Sequence, residues 1–285
     1  MSDNIDGRRV FLVTGASSGI GEAAAKRLAR EPNCALVLVA RREDRLAALA
    51  ASLGLPTGAA TYVAADLLDE DAPERVRQHV QVAHGRLDLL VNNAGSAWRA
   101  RFADGGYENV RRTMEINFDA QVRLTEALLP MLRASAPSAI VNVSSTSGRV
   151  SRAGSGAYSA SKFALAGWSD ALALEEASHG VHVGLVLPGF IATEGFPHSE
   201  LTERGLTRRM VSTPERAAEA IVEAGLGRRP ERYVPKPYAL AAALRVLVPG
   251  LVRRVLGGEA AAAMTTTTGA DMSESRNGTG TPTAG

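Results

Sequence analysis

Apolar residues are spaced along this chain in two alternating rhythms. Short continuous runs occur at Val10–Thr14, Ala35–Ala40, Thr61–Ala64, Leu87–Asn92, Ala139–Ser144 and Val181–Leu187, all rich in Val, Leu and Ile. Runs without polar alternation are what strands show when both faces of their sheet are covered. Between them, Gly21–Arg30, Glu43–Ser52, Ala72–His84, Tyr107–Arg133 and Tyr158–His179 carry apolar residues at helical spacing. Strand and helix in repeated alternation predict an α/β fold with a doubly wound parallel sheet. A weaker strand at Arg232–Val234 adds an edge.

Beyond these elements the pattern changes. From Pro237 to Gly258, Leu240, Leu244, Leu247, Leu251 and Val255 recur at helical spacing, predicting an amphipathic helix or helix pair broken near Pro249, within an extension over residues 238–264. Arg245, Arg253 and Arg254 lie in it without an acid, and Arg245 and Pro249 interrupt it too early for a membrane span. Two readings stay open. The basic face meets lipid headgroups as a peripheral membrane contact, or the stripe packs on the protein's own core, a lid or another subunit. Residues 265–285 are too poor in apolar side chains to offset their ordering entropy and are expected to be a disordered tail.

Composition narrows the class. The chain has 285 residues, 45% hydrophobic and 22% charged, enough for a sizeable core, and its net charge of +2 argues against a nucleic-acid partner. The one cysteine, Cys34, opens the run "CALVLVA" and reads as a buried thiol; a single cysteine leaves no internal disulfide and no cysteine metal cluster. His79, His84, His179, His182 and His198 form no ligand pair, so no metal is expected. The N-terminal residues carry early acids and no secretory pattern, which predicts a cytoplasmic protein.

Candidate chemistry begins at "TGASSGIG", where the first strand runs through Gly15, Ser17, Ser18, Gly19, Ile20 and Gly21 into a helix. Glycines let backbone turn tightly and approach a pyrophosphate, whose charge the helix N-terminus stabilises. The spacing is G-x-x-x-G-x-G and not the commoner G-x-G-x-x-G. A bare glycine triplet is as often a structural turn, but its place between strand and helix favours dinucleotide binding. The second strand ends in "ARRED", where an NAD-binding chain would present an acid to the ribose 2′-hydroxyl. Arg41 and Arg42 suit a 2′-phosphate instead, so NADP is favoured over NAD. Asp66, followed by Leu67 at the end of the third strand, falls at the adenine edge or caps a helix.

The stretch "SSTSGRVSRAGSGAYSASK" ends in Tyr158 and Lys162, four residues apart and so on one helix face. A phenol titrates near pH ~10, and a neighbouring cation favours its phenolate, which makes Tyr158 a usable proton donor and acceptor.

With "TGASSGIG", "NNAG" (Asn92–Gly95), Asn117 in "MEINF", the serines of "NVSS", "YSASK" and "PGFIAT" (Pro188–Thr193) in this order, the chain resembles the short-chain dehydrogenase/reductase superfamily over about Arg9–Pro237. The resemblance implies a single Rossmann-like catalytic domain over residues 1–237, with about seven strands and the ligands over their carboxyl edge. It implies a small-molecule carbonyl or secondary alcohol as substrate and a homo-oligomer. By residue, it implies that Ser145, thirteen positions before the tyrosine, polarises the carbonyl, that Tyr158 is the acid/base, that Lys162 lowers its pKa and bonds the nicotinamide ribose, and that Asn117 anchors a water in the proton path. Asn92, Ala94, Gly95, Pro188, Gly189, Ile191 and Thr193 would border the cofactor. Each of these motifs also has a bland structural use as cap, turn or distortion. Trp98, Phe102, Phe190, Phe196, Leu201, Leu206 and Met210 are the expected lining for a hydrophobic substrate, while Arg99, Arg101, Arg208 and Arg209 are either solvated loop charge or partners for an acidic group. The alternative function is an NADP-sensing regulator without turnover.

Overall fold

The computed structural model describes residues 7–191 and 211–257. Thr193, Phe196, His198, Leu201, Leu206, Arg208, Arg209, Met210 and the expected tail at 265–285 lie outside the described residues. Seven parallel strands form the main sheet: β1 (Arg9–Thr14), β2 (Cys34–Ala40), β3 (Ala60–Ala64), β4 (Leu89–Asn92), β5 (Ser138–Val143), β6 (Val181–Pro188) and, after two short strands, β9 (Glu231–Val234). Their spatial order is β3-β2-β1-β4-β5-β6-β9. The chain winds outward from β1 through β2 to β3, then returns to the other side of β1, so the α/β Rossmann-like fold is present with its reversal between β1 and β4. Strands β7 (Phe190–Ile191) and β8 (Val211–Ser212) pair separately.

Because side chains alternate across a strand, one continuous apolar run supplies two cores. Phe11, Val13, Leu36, Leu38, Val91 and Val141 point to one face, under helices α1 (Gly19–Leu28), α2 (Glu43–Ser52) and α7 (Pro214–Gly225). Val10, Leu12, Val37, Leu90 and Ile140 point to the other, under α3 (Ala72–Ala83), α5 (Ala120–Ala134) and α6 (Gly156–Glu176). Cys34 is buried in the first core, its thiol against the Leu28 carbonyl at 3.5 Å, as its sequence context implies.

Three differences from the apolar rhythm have physical causes. The expected helix Tyr107–Arg133 is two helices, α4 (Phe102–Met114) and α5, separated by a π-helical turn at Glu115–Asp119. A π turn inserts one residue without breaking the apolar period by much, so periodicity reads straight through it. Leu87 and Asp88 lie before β4 and not in it, since the Asp88 carboxylate takes the Val10 N–H at 2.7 Å and pairs with Arg86. Helix α7 was not anticipated, although Thr213 caps it by accepting from Arg216 N and Pro214 occupies its first turn. The C-terminal stripe forms a helix pair broken at Val248, α8 (Tyr238–Leu247) and α9 (Pro249–Gly257).

Beneath the reversal point a polar ladder crosses the second core. Asn92 Nδ2 donates to Thr125 Oγ1 and to Asn142 Oδ1, both at 2.9 Å, and Asn142 Nδ2 donates to Ser169 Oγ at 2.8 Å. It ties β4 to β5, where Asn92 and Asn142 are register partners, and both strands to α5 and α6. Asn142→Ala strips the ladder of its central member and leaves buried donors and acceptors unmatched. It should destabilise the fold by about 1–3 kcal/mol in urea denaturation; an unchanged midpoint would show that the ladder contributes nothing.

Candidate active site

The segments that follow six of the seven main-sheet strands open into one cleft of about 730 Å³. Its walls come from Gly15–Ile20 after β1, Arg41 and Arg42 after β2, Asp66 and Leu67 after β3, Asn93–Arg99 after β4, Ser144–Ser147 after β5 and Pro188–Ile191 at the end of β6. The order of walls follows the order of strands, so the cleft has a glycine-loop end and a Tyr158 end.

At the glycine-loop end, Gly15 and Gly19 have φ of 66° and 58°, a region in which only glycine is unstrained. Gly21 has a different task. A Cβ there would lie 2.2 Å from Gly15 O, and the residue does not line the cleft: it lets α1 close onto the loop. Ser18 caps α1 without using its hydroxyl, so that group and the free first-turn N–H donors face the cleft. Arg42 reaches across to Ser17, its Nη2 3.1 Å from Oγ, and Arg41 pairs with Asp66 at 3.7 Å. Asp66 also accepts the Leu68 N–H at 3.1 Å, so it serves as a turn cap while remaining in the wall. Backbone donors at a helix N-terminus, an arginine above them and a small-residue floor match the chemistry of a dinucleotide pyrophosphate and an adenosine ribose.

At the other end three elements converge. Lys162, on α6 and only 4% exposed, donates from Nζ to Val143 O at 2.9 Å and lies 5.9 Å from the centre of the Tyr158 ring. Burial pulls its ammonium down to about 8. The Tyr158 phenol is raised by burial, and what opposes that is the Ser145 hydroxyl, hydrogen-bonded to it, together with the charges of Arg99 and Arg152. Two arginines thus stand beside the phenol in addition to the lysine expected there. Ser145 also accepts the Ser147 N–H at 3.1 Å and donates to Pro188 O at 3.3 Å, which fixes its Oγ at the mouth of β5. Asn117 sits in the π turn, wholly buried, its Oδ1 taking Ser96 N–H at 2.8 Å and its Nδ2 giving to Ser96 O at 2.8 Å and Ser161 Oγ at 3.1 Å. A Cβ on residue 95 would come within 2.6 Å of Asn117 Oδ1 and 3.7 Å of Lys162 Nζ, so Gly95 is what allows the two to share one wall.

Several expectations need correction. Asn92 does not border the cleft; its side chain belongs to the buried ladder, and Asn93 takes the place in the wall. Phe102 heads α4 at 77% exposure and lines nothing, whereas Trp98 and Phe190 are in the wall. Each of these carries a guanidinium on its ring: Arg112 over Trp98 at 4.8 Å and Arg152 over Phe190 at 4.6 Å. No sequence pattern marked Arg152; the one available signal was its place in the loop between Ser145 and Tyr158. Among the described residues no cluster of His, Cys, Asp and Glu is arranged to hold a metal.

The fold, the glycine loop and the Ser145–Tyr158–Lys162 convergence agree with comparison to known proteins. Residues 9–203 match the short chain dehydrogenase family. The chain belongs to the short-chain dehydrogenase/reductase superfamily, whose members are NAD(P)-dependent oxidoreductases. It is similar to bovine dehydrogenase/reductase SDR family member 7B, with 32% identity over 88% of this chain and 81% of the relative. It is similar as well to Xenopus laevis hydroxysteroid 11-beta-dehydrogenase 1-like protein B, 33% identical over 89% of this chain and 87% of the relative. To ketoacyl reductase HetN of Nostoc it is 31% identical over 76% of this chain and 75% of the relative.

The depressed Lys162 gives a signed prediction. Below about pH 8 the folded state must charge a buried amine that the unfolded chain charges freely, so the residue penalises folding there. The penalty declines as pH rises from about 8 toward the model-peptide value of 10.5. Lys162→Met should therefore melt higher than wild type at neutral pH, by no more than about 3 kcal/mol less the lost bond to Val143, and the gap should close at alkaline pH. Thermal melts across that range check it; a variant that melts lower at every pH would refute the account.

Proposed function

We propose that this protein is an NADP-dependent oxidoreductase that interconverts a carbonyl and a secondary alcohol on a hydrophobic small molecule. The observation that carries the reading is the convergence of Ser145 Oγ, the Tyr158 phenol and Lys162 Nζ on one cleft whose far end is the glycine loop. Arg42, bonded to Ser17, supports NADP, since it stands over the loop where a ribose 2′-phosphate would need a cation and an acid would repel it. Trp98 and Phe190 in the wall support an apolar substrate. So do the hydroxysteroid and ketoacyl words in two relatives' names, each denoting an alcohol or ketone on a carbon skeleton. An NADP sensor without turnover would have no use for this convergence.

A bound nicotinamide supplies the hydride in reduction and accepts it in oxidation. The protein's own part is proton handling and placement. In reduction the Tyr158 hydroxyl gives its proton to the substrate oxygen, while the Ser145 hydroxyl hydrogen-bonds the same oxygen as charge develops there. The phenolate left behind is favoured by Ser145 and by the Arg99 and Arg152 charges. Lys162, near about 8, is poised to return a proton at neutral pH and to hold the ribose hydroxyls. Both amide donors of Asn117 are used within the protein, so a relay water anchored there donates to an Asn117 oxygen.

We further propose a lipid partner for α8 and α9. Leu240, Leu247, Leu251 and Val255 are 65%, 75%, 60% and 66% exposed, so the stripe does not pack on the core. Lys236, Arg245, Arg253 and Arg254 accompany it with no acid between Arg232 and Gly257, a charge pattern complementary to anionic headgroups. No helix among the described residues is long and apolar enough to cross a membrane.

Two experiments test these readings. Tyr158→Phe should keep NADPH affinity, read by nucleotide fluorescence, while turnover of a ketone panel falls by about 10²–10⁴. Wild type should bind NADPH more tightly than NADH, with Arg42→Ala erasing the preference. NADPH bound without turnover of any carbonyl or alcohol would favour the sensor, and NADH bound more tightly would defeat the NADP assignment. In co-sedimentation, vesicles containing phosphatidylserine should carry the protein down and pure phosphatidylcholine should not, with Leu247→Glu abolishing the difference. A lipid-independent dimer that Leu247→Glu dissociates would give the face to a second copy.

A further inference from the structure

The Tyr158 end of the cleft is cationic in a way that hydride transfer to a neutral ketone does not require. Besides Lys162, the charged residues described in its wall are Arg99 and Arg152. Asp66, the one acid among the described wall residues, lies at the opposite end and is already paired with Arg41. Arg149, three residues before Arg152, shows what a structural arginine in this loop looks like: it pairs with Glu231 at 3.3 Å and Asp170 at 3.9 Å. Arg152 has no such partner among the described residues. It is half-buried, and its guanidinium face lies on the Phe190 ring at 4.6 Å.

That stacking matters chemically. A guanidinium held by its face keeps its N–H edge in a fixed direction, the geometry in which arginine takes a carboxylate or phosphate through two parallel bonds. Partial desolvation of a cation with a second cation nearby is unfavourable unless an anion completes the arrangement. Burial, and after it Arg99, push the Arg152 guanidinium toward losing its proton, against the opposing pull of Tyr238 and Tyr158.

We propose that the substrate carries an anionic group, a carboxylate or a phosphate, which binds the guanidinium edge of Arg152 beside Arg99 while its carbonyl lies against Ser145 and Tyr158. This deepens the reading of the cleft as a carbonyl-reducing site and rests on it. The substrate class is accordingly an oxo acid, or its hydroxy acid, with an apolar body against Trp98 and Phe190. Arg152 selects that class by charge and sets which end of the molecule enters first.

The test compares three probes that share an apolar chain: 4-oxodecanoate, its methyl ester and 2-oxodecyl phosphate. Calorimetry on the NADPH-loaded enzyme measures binding, and steady-state assays measure kcat and KM. Wild type should bind and turn over one anionic probe at least about tenfold better than the ester, the size expected of a charge-assisted contact. The preferred anion identifies carboxylate or phosphate. Arg152→Met should bring the anion-to-ester ratio to near unity through KM, and Arg152→Lys should restore part of it. Using the ratio cancels whatever the lost charge does to the Tyr158 phenol. NADPH affinity should not change in either variant. Equal handling of acid and ester by an active wild type would overturn the proposal and leave the carbonyl reading intact. Anion binding that depends on Arg152 without any turnover would keep the anion site and remove the reductase. Loss of NADPH affinity in Arg152→Met would assign the guanidinium to the cofactor and overturn the proposal.

Discussion

All of the chemistry depends on a single topological constraint: parallel strands joined by right-handed crossovers must end on the same edge of their sheet. Six successive strands therefore deliver their following residues to one side, and the reversal beside β1 parts the flanking helices there and leaves a crevice. Gly15, Asp66, Gly95, Ser145 and Pro188, spread over most of the chain, become neighbours by that rule alone. The two apolar cores hold the edge still. Without them, the loops would have no common frame.

The site is built against its own electrostatics. A buried ammonium, a half-buried guanidinium and a partly buried phenol are gathered in one low-dielectric cleft, and the burial that raises Tyr158 also lowers Lys162 and Arg152. None of these groups favours folding by being there; the cores and the buried ladder behind β4 and β5 offset them. Such a concentration of opposed shifts is what a site poised to exchange protons near neutral pH requires. The π turn contributes in the same sense, because it turns Asn117 inward to organise Ser96 and Ser161 behind Lys162.

The C-terminal helix pair is joined to this centre through Tyr238. A Cβ on residue 189 would lie 2.3 Å from the Tyr238 ring, so the first turn of α8 packs onto the backbone that forms the cleft wall. An exposed apolar stripe thus begins beside the cleft wall at Gly189. Under the readings proposed above, an amphiphilic oxo acid held at a lipid surface would meet the cleft with its anionic head toward Arg152.

Much of this was legible in the sequence. Apolar runs of strand length alternating with helical spacing determined the α/β class, since burial on two faces and burial on one stripe leave different periods. The glycine loop and the nearness of Tyr158 to Lys162 were legible because a tight turn and a pair on one helix face follow from local backbone geometry and fixed spacing. Other features depended on distant contacts. Asn92 and Asn93 are adjacent in a motif, yet only the pleat of β4 and its register with β5 decide that one braces the core and the other lines the cleft. The π turn leaves apolar spacing nearly unchanged, so only packing against Ser96 and Ser161 reveals it. Arg152 carries no local signature beyond its place in the loop between Ser145 and Tyr158. Its meaning comes from Phe190, Tyr158 and Arg99, which tertiary structure alone brings around it, because charge and stacking act through space and are indifferent to separation along the chain.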